Sequence, residues 1–219
     1  MIVTIVGAGR LAEGLAVRAL AGGHQLRVTD TAPGKAEGLI ATLAALGGPA
    51  AGPPSSRSVG TVGAAIAGAD VVVLALPYPE GRAVARGQGA ALSGVTVVDT
   101  CNPVDFSTFD SLLTSPGMSA AEEIAAACPA ARVVKAFNTT FASALTVGQV
   151  AGLPLDVFIA GDHTSAKAQV AALVRDGGMR AVDTGPLRRA RELEAFQLLH
   201  MTLQGPLGLD WASAVKLLP

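Results

Sequence analysis

Ile2-Val3-Thr4-Ile5-Val6-Gly7-Ala8-Gly9-Arg10-Leu11-Ala12 decides the architecture of this chain. The first five of these residues are β-branched and run into glycine, the pattern of a buried strand feeding a tight turn. Leu11, Leu15, Ala16, Val17 and Leu20 then recur at helical spacing, and Gly22-Gly23 closes the helix. A GxGxxA element at such a strand-to-helix turn suits a dinucleotide. Gly7 permits the turn, Gly9 removes the side chain that would hold a pyrophosphate off the backbone, and Ala12 lets helix and strand approach closely. The free N–H groups and dipole of the helix start favour an anion there. With 26 glycines in 219 residues the pattern arises readily by chance, so its weight rests on the strand and helix on either side. A turn needed only for packing is the alternative reading.

Outward from that turn, strand and helix alternate to the end of the chain. Strands are expected at Gln25 to Thr29, near Arg57 to Val59, and at Val71 to Leu76, Val95 to Asp99, Arg132 to Ala136, Val157 to Ala160 and Arg180 to Val182. Helices are expected at Lys35 to Leu46, Val62 to Ala69, Gly81 to Leu92, Ala120 to Ala127, Ser165 to Val174 and Leu187 to Leu203. The stretch from Gly47 to Ser56 reads as loop by its Gly, Pro and Ser content. The all-apolar run Val71-Val72-Val73-Leu74-Ala75-Leu76 is what a parallel strand covered on both faces requires. The order predicts an α/β fold of Rossmann type: a doubly wound, mostly parallel sheet with a small C-terminal helical cap. We expect one dinucleotide-binding domain over 1–219, with a core over 1–150 and extra strands and the cap over 151–219.

Composition narrows the function. Half the residues are hydrophobic and 15% are charged, which excludes a disordered chain. The longest strongly apolar run, Val71 to Pro77, is far short of the ~20 residues a helix needs to cross a bilayer. No basic segment precedes the first strand as a leader would require. Sixteen basic and 17 acidic residues leave a net charge of −1, which offers a nucleic acid no attractive field. Cys101 and Cys128 lack metal-ligand or CxxC spacing and read as the reduced thiols of a cytoplasmic protein. Asn138-Thr139-Thr140 matches a glycosylation site, which has no meaning without secretion.

Asp30 closes the second strand about 20 residues after the glycine motif, where a carboxylate accepts from the adenosine ribose hydroxyls. A 2′-phosphate about 4 Å away would be repelled by ~4 kcal/mol per unit charge at an effective dielectric near 20. Thr31 and Ala32 bring no cation to offset this, so NAD(H) is favoured, while Arg10 and Lys35 leave NADP(H) open. The plainer reading makes Asp30 a solvated strand end or a cap for the next helix.

Further segments then stand out in order: Leu76-Pro77, Asp99-Thr100-Cys101-Asn102-Pro103, Val133-Val134-Lys135-Ala136-Phe137-Asn138-Thr139, Gly161-Asp162, Val182-Asp183-Thr184-Gly185-Pro186-Leu187 and Ala190-Arg191-Glu192-Leu193-Glu194. Together they resemble the coenzyme F420-dependent NADP oxidoreductase family, whose fold is similar to the cytosolic domain of six-transmembrane metalloreductases. The resemblance covers essentially the whole chain. It implies hydride transfer between a nicotinamide and a deazaflavin (F420) or flavin-like ring, which needs two aligned rings and no protein acid or base. It further implies that Leu76 and Pro77 lie over the cofactor, with Asn102-Pro103 and Phe137-Asn138 near the nicotinamide. Relatives specific for NADP tend to carry Ser or Arg where this chain has Asp30-Thr31-Ala32. The plainer reading of these pairs is that the prolines end strands and Asn102 makes a turn.

Other groups carry less. His24, His163 and His200 have no spacing that would gather a metal. Arg188, Arg189 and Arg191 form a basic cluster that suits either an anionic substrate tail or a solvated helix face. Lys135 reads as a strand-end charge and Cys101 as a small buried hydrophobe. No catalytic side chain and no metal ligand is expected. A reductase of a small carbonyl, imine or ferric substrate is the alternative, with Tyr78 and Lys135 as its nearest proton donors. A third reading is a dinucleotide-binding regulatory protein without turnover. The last helix shows an apolar face through Leu193, Phe196, Leu199 and Leu203, from which a homodimer is expected.

Overall fold

The β-branched opening segment forms β1 (Ile2–Val6), which lies between two parallel neighbours, β2 (Gln25–Thr29) and β4 (Val71–Leu74). This computed structural model describes residues 1–32, 34–47 and 56–218. The loop expected over Gly47 to Ser56 falls largely outside them.

Helix α1 (Arg10–Ala21) returns the chain to β2, and α2 (Lys35–Leu46) leads toward the short β3 (Arg57–Ser58). After α3 (Val62–Ile66) the chain crosses to the other side of β1 and builds β4, α4 (Tyr78–Gly87), β5 (Thr96–Asp99), α5 (Ala120–Ala127) and β6 (Arg132–Lys135). A short helix α6 (Ala142–Val147) and a small hairpin, β7 (Gln149–Val150) with β8 (Leu153–Pro154), precede β9 (Asp156–Gly161). Helix α7 (Thr164–Asp176), β10 (Arg180–Gly185), a 3-10 turn (Leu187–Arg189) and α8 (Ala190–Thr202) complete the chain. The main sheet has eight strands in the order β10-β9-β6-β5-β4-β1-β2-β3. Every pairing is parallel except β6 with β9. The expected doubly wound, mostly parallel architecture is therefore the observed one.

The continuous apolar run of β4 has its explanation in the two cores. Val71 and Val73 point into a core shared with α1, α2, α6 and α7, while Val72 and Leu74 point into one shared with α4 and α5. A strand buried on both faces has no polar alternation to show. The differences from expectation are local: β4 stops at Leu74 and α3 at Ile66, β10 runs on to Gly185, and Leu187–Arg189 is a 3-10 turn ahead of α8. Helix α4 begins at Tyr78, because Pro77 serves as its N-cap, and it ends at Gly87 rather than Leu92. Helix α6 and the hairpin carry no periodicity in sequence, being 6 and 2 + 2 residues long. Among the described residues, no helix is long and apolar enough to cross a membrane.

Candidate dinucleotide site

The reversal of strand order between β1 and β4 opens a crevice at their C-terminal ends, the place where sheets of this kind bind ligands. Gly7 sits there with φ +115°, and a Cβ on it would lie 2.2 Å from the Ala75 carbonyl oxygen. No other residue fits. Gly9, the N-cap of α1, is the reverse case, because a Cβ added there meets nothing within 4 Å. No side chain caps this helix start. Its first N–H groups thus face open space, with Arg10 exposed, Leu11 half-buried and Ala12 buried behind them. The free space over Gly9 fits a pyrophosphate.

Asp30 is more committed than its position in the sequence suggests. One carboxylate oxygen accepts from the Ala8 N–H at 2.9 Å and the other from the Ala32 N–H at 2.7 Å. It therefore ties the end of β2 to the glycine turn, and each oxygen keeps one lone pair for a ribose hydroxyl. Thr31 is exposed beside it.

Across the crevice, Leu76 is half-buried and Pro77 exposed at the end of β4. Asn102 and Asn138, from the ends of β5 and β6, are brought together. Asn102 Nδ2 donates to the Asn138 carbonyl at 2.8 Å, and Asn138 Nδ2 donates to Asn102 Oδ1 at 3.0 Å and to the Leu193 carbonyl of α8 at 3.2 Å. Asn138 Oδ1 is buried without a hydrogen-bond partner, an acceptor that fits the amide of a nicotinamide. Pro103 is buried. The Phe137 side chain lies in the core with Val3, Ile5 and Val73, so its part in the site is a backbone turn at φ +65° that brings Asn138 to the crevice.

Beneath the asparagines lies a charge cluster that the strand-end reading of Lys135 missed. Lys135 is wholly buried, with its Nζ 2.7 Å from Asp99, 2.8 Å from Glu194 and 2.6 Å from the Cys101 carbonyl. Burial alone would lower the Lys135 ammonium, but Asp99 and Glu194 outweigh it and hold the group charged, above the usual lysine range. Burial pushes the Glu194 carboxyl up against the pull of Lys135. The Ala120 and Ala121 N–H groups, at the start of α5, also donate to Glu194, at 3.0 and 3.4 Å. No sequence spacing announces this group, because its members come from three distant segments. The only available signal was a lysine inside an apolar strand.

The remaining candidates disperse. The Tyr78 hydroxyl donates to Glu123, and burial together with that carboxylate pushes it up to about 12. Arg191 makes two hydrogen bonds to Glu122 and Arg189 pairs with Glu192, so two members of the basic cluster are already engaged; Arg188 is exposed. His24 lies 3.4 Å from Asp176, His163 stands at the N-cap position of α7 with no side-chain cap bond, and His200 bonds Gln197 and Ser213. Burial pushes the Cys101 thiol well up, and Asp99 adds to the shift.

Residues 2–103, which hold the glycine turn, Asp30 and the first asparagine, match the model of the NADP oxidoreductase, coenzyme F420-dependent family. This part of the chain is similar to that family. The family is one of NADP oxidoreductases. A structure from Arthrobacter sp. FB24, described as a candidate F420-dependent NADP-reductase, is 26% identical with a TM-score of 0.77 and covers 94% of each chain. A hypothetical protein of Sinorhizobium meliloti is 29% identical with a TM-score of 0.71, covering 85% of this chain and 86% of its own. Rat metalloreductase STEAP3 is 31% identical over 196 residues, 90% of this chain. The chain spans 36% of the length of that relative. The likeness covers the part of the chain that forms the glycine-turn side of the crevice, and the hydride acceptor is a separate matter.

Proposed function

We propose that this chain transfers a hydride between a nicotinamide dinucleotide and a deazaflavin (F420) or flavin-like ring. The observation that carries this reading is the state of the two nearest polar groups that could supply a proton. Tyr78 is bound to Glu123, and Lys135 is buried between two carboxylates and a carbonyl. Reduction of a carbonyl or imine needs a donor at the ring, whereas transfer between two stacked rings needs orientation. Bound here, the nicotinamide supplies or accepts the hydride. The N–H groups of Gly9, Arg10 and Leu11 hold the pyrophosphate, Asp30 accepts from the adenosine ribose and favours NAD(H), and Leu76 with Pro77 covers the ring. Asn102 fixes Asn138 so that its free Oδ1 receives the carboxamide.

Likeness to STEAP3 favours a second reading, in which a ferric chelate takes the electrons. An absorbance screen with NADH and NADPH against deazaflavin, FMN, FAD and ferric chelates separates the two. Turnover with none of these acceptors, but with a carbonyl or imine added in their place, would refute both. We further propose a cytoplasmic protein that forms a homodimer through the exposed apolar side of α8, where Phe196 and Leu199 are 44% and 56% exposed.

A further inference from the structure

The binding reading makes no use of the charges at Lys135, Asp99 and Glu194, whose side chains are 0%, 1% and 0% exposed. One ammonium faces two carboxylates. Each carboxylate oxygen meets an N–H donor: Lys135 and Cys101 N–H on Asp99, Lys135, Ala120 N–H and Ala121 N–H on Glu194. A donor on every carboxylate oxygen fits the ionised form of both acids and offsets the burial that pushes Glu194 up. The cluster then carries one net negative charge, sealed from solvent.

Its position is fixed by the sheet. Asp99 and Lys135 are directly paired at the ends of β5 and β6, and each chain reaches its asparagine three residues later. Lys135 holds the carbonyl of Cys101, the residue before Asn102, and Glu194 follows Leu193, whose carbonyl receives Asn138. The charge therefore lies directly under the Asn102–Asn138 pair. An oxidised nicotinamide carries a positive charge that the reduced ring lacks, while the adenosine and pyrophosphate are the same in both. A buried charge is little screened, so it discriminates between the two forms and between nothing else in the cofactor.

We propose that the Lys135–Asp99–Glu194 cluster is an electrostatic device that favours the oxidised over the reduced nicotinamide at the Asn102–Asn138 end of the crevice. The proposal rests on the reading that places the nicotinamide there. A group that favours the oxidised product makes the bound reduced cofactor a stronger hydride donor.

Calorimetric titration of the full chain with NAD+, NADH, NADP+ and NADPH tests it without turnover. The wild type should bind the oxidised form of its preferred dinucleotide at least as tightly as the reduced form. Glu194→Gln and Asp99→Asn each bring the cluster to zero net charge and should raise the ratio Kd(oxidised)/Kd(reduced) by about threefold or more. A packing defect would weaken both forms alike and leave the ratio unmoved. Tighter binding of the reduced form by the wild type overturns the proposal even where neither variant folds, as does a ratio moved by less than threefold in a folded variant. A wild type that binds none of the four dinucleotides overturns the site reading and this proposal with it, whereas binding with an unmoved ratio overturns this proposal alone.

Discussion

Helices α1 and α8 have 12 and 13 residues and both carry apolar side chains at helical spacing, yet they turn opposite faces inward. Helix α1 buries Leu15, Val17 and Leu20 with four small residues. Helix α8 buries Ala190, Glu194, Gln197 and His200, and leaves Phe196 and Leu199 44% and 56% exposed. The regions they serve differ in the same way. At the glycine turn the working groups are backbone N–H donors, so the helix behind is free to bury hydrocarbon. At the ends of β5 and β6 the working groups are side chains, and α8 must bring a carboxylate to Lys135 and to the start of α5. Its polar face therefore goes inside. Helical periodicity identifies an apolar face, but what the helix must reach decides which way that face points.

The largest effect is expected at the polar end. Lys135→Met leaves two carboxylates buried without their cation and should cost about 3–5 kcal/mol in urea unfolding. A loss under about 1 kcal/mol would mean that the cluster does not hold α8. At the glycine end the contrast should appear between binding and folding. Gly9→Val should leave thermal stability nearly unchanged and weaken dinucleotide binding about 100-fold or more, because its side chain occupies the pyrophosphate space. Retained affinity would reduce the glycines to packing.

Next comes the exposed side of α8. If a second copy covers it, light scattering should give a dimer, and Leu199→Glu should raise the dissociation midpoint about tenfold or more while leaving the monomer folded. A wild-type monomer at high concentration removes the dimer. The smallest effect sharpens the adenosine side. Asp30→Ser with Thr31→Arg should turn the preference from NADH toward NADPH by about tenfold. Because Asp30 also holds the Ala8 N–H, both affinities should fall together, which a simple selectivity filter would not do.

What could be read from the residues follows the same divide. Val71 to Leu74 announces a doubly covered strand, and Gly7 to Ala12 announces a turn with an open helix start, because each feature is local. Helix α6 could not be seen, since Ala142–Val147 is too short to show a period. The Lys135 cluster could not be seen either: Asp99 lies 36 residues before it and Glu194 in the last helix, and only the register of β5 with β6 brings them together. The apolar stripe of α8 was legible as a stripe, but the donors that draw its opposite face inward belong to other elements.

Phe137 has a consequence of another kind. Its backbone occupies the left-handed region, which glycine and asparagine enter easily, while its ring is 1% exposed in the core. Glycine would relax the backbone and open a void that costs about 3–5 kcal/mol. Asparagine would suit the backbone and strand an amide among Val3, Ile5 and Val73. Isoleucine or valine would fill part of the void and resist the turn. Each of these changes fails at least one of the two demands. A library randomised at this codon should return little besides aromatic residues, and its rare survivors should carry a second change in the wall around the ring.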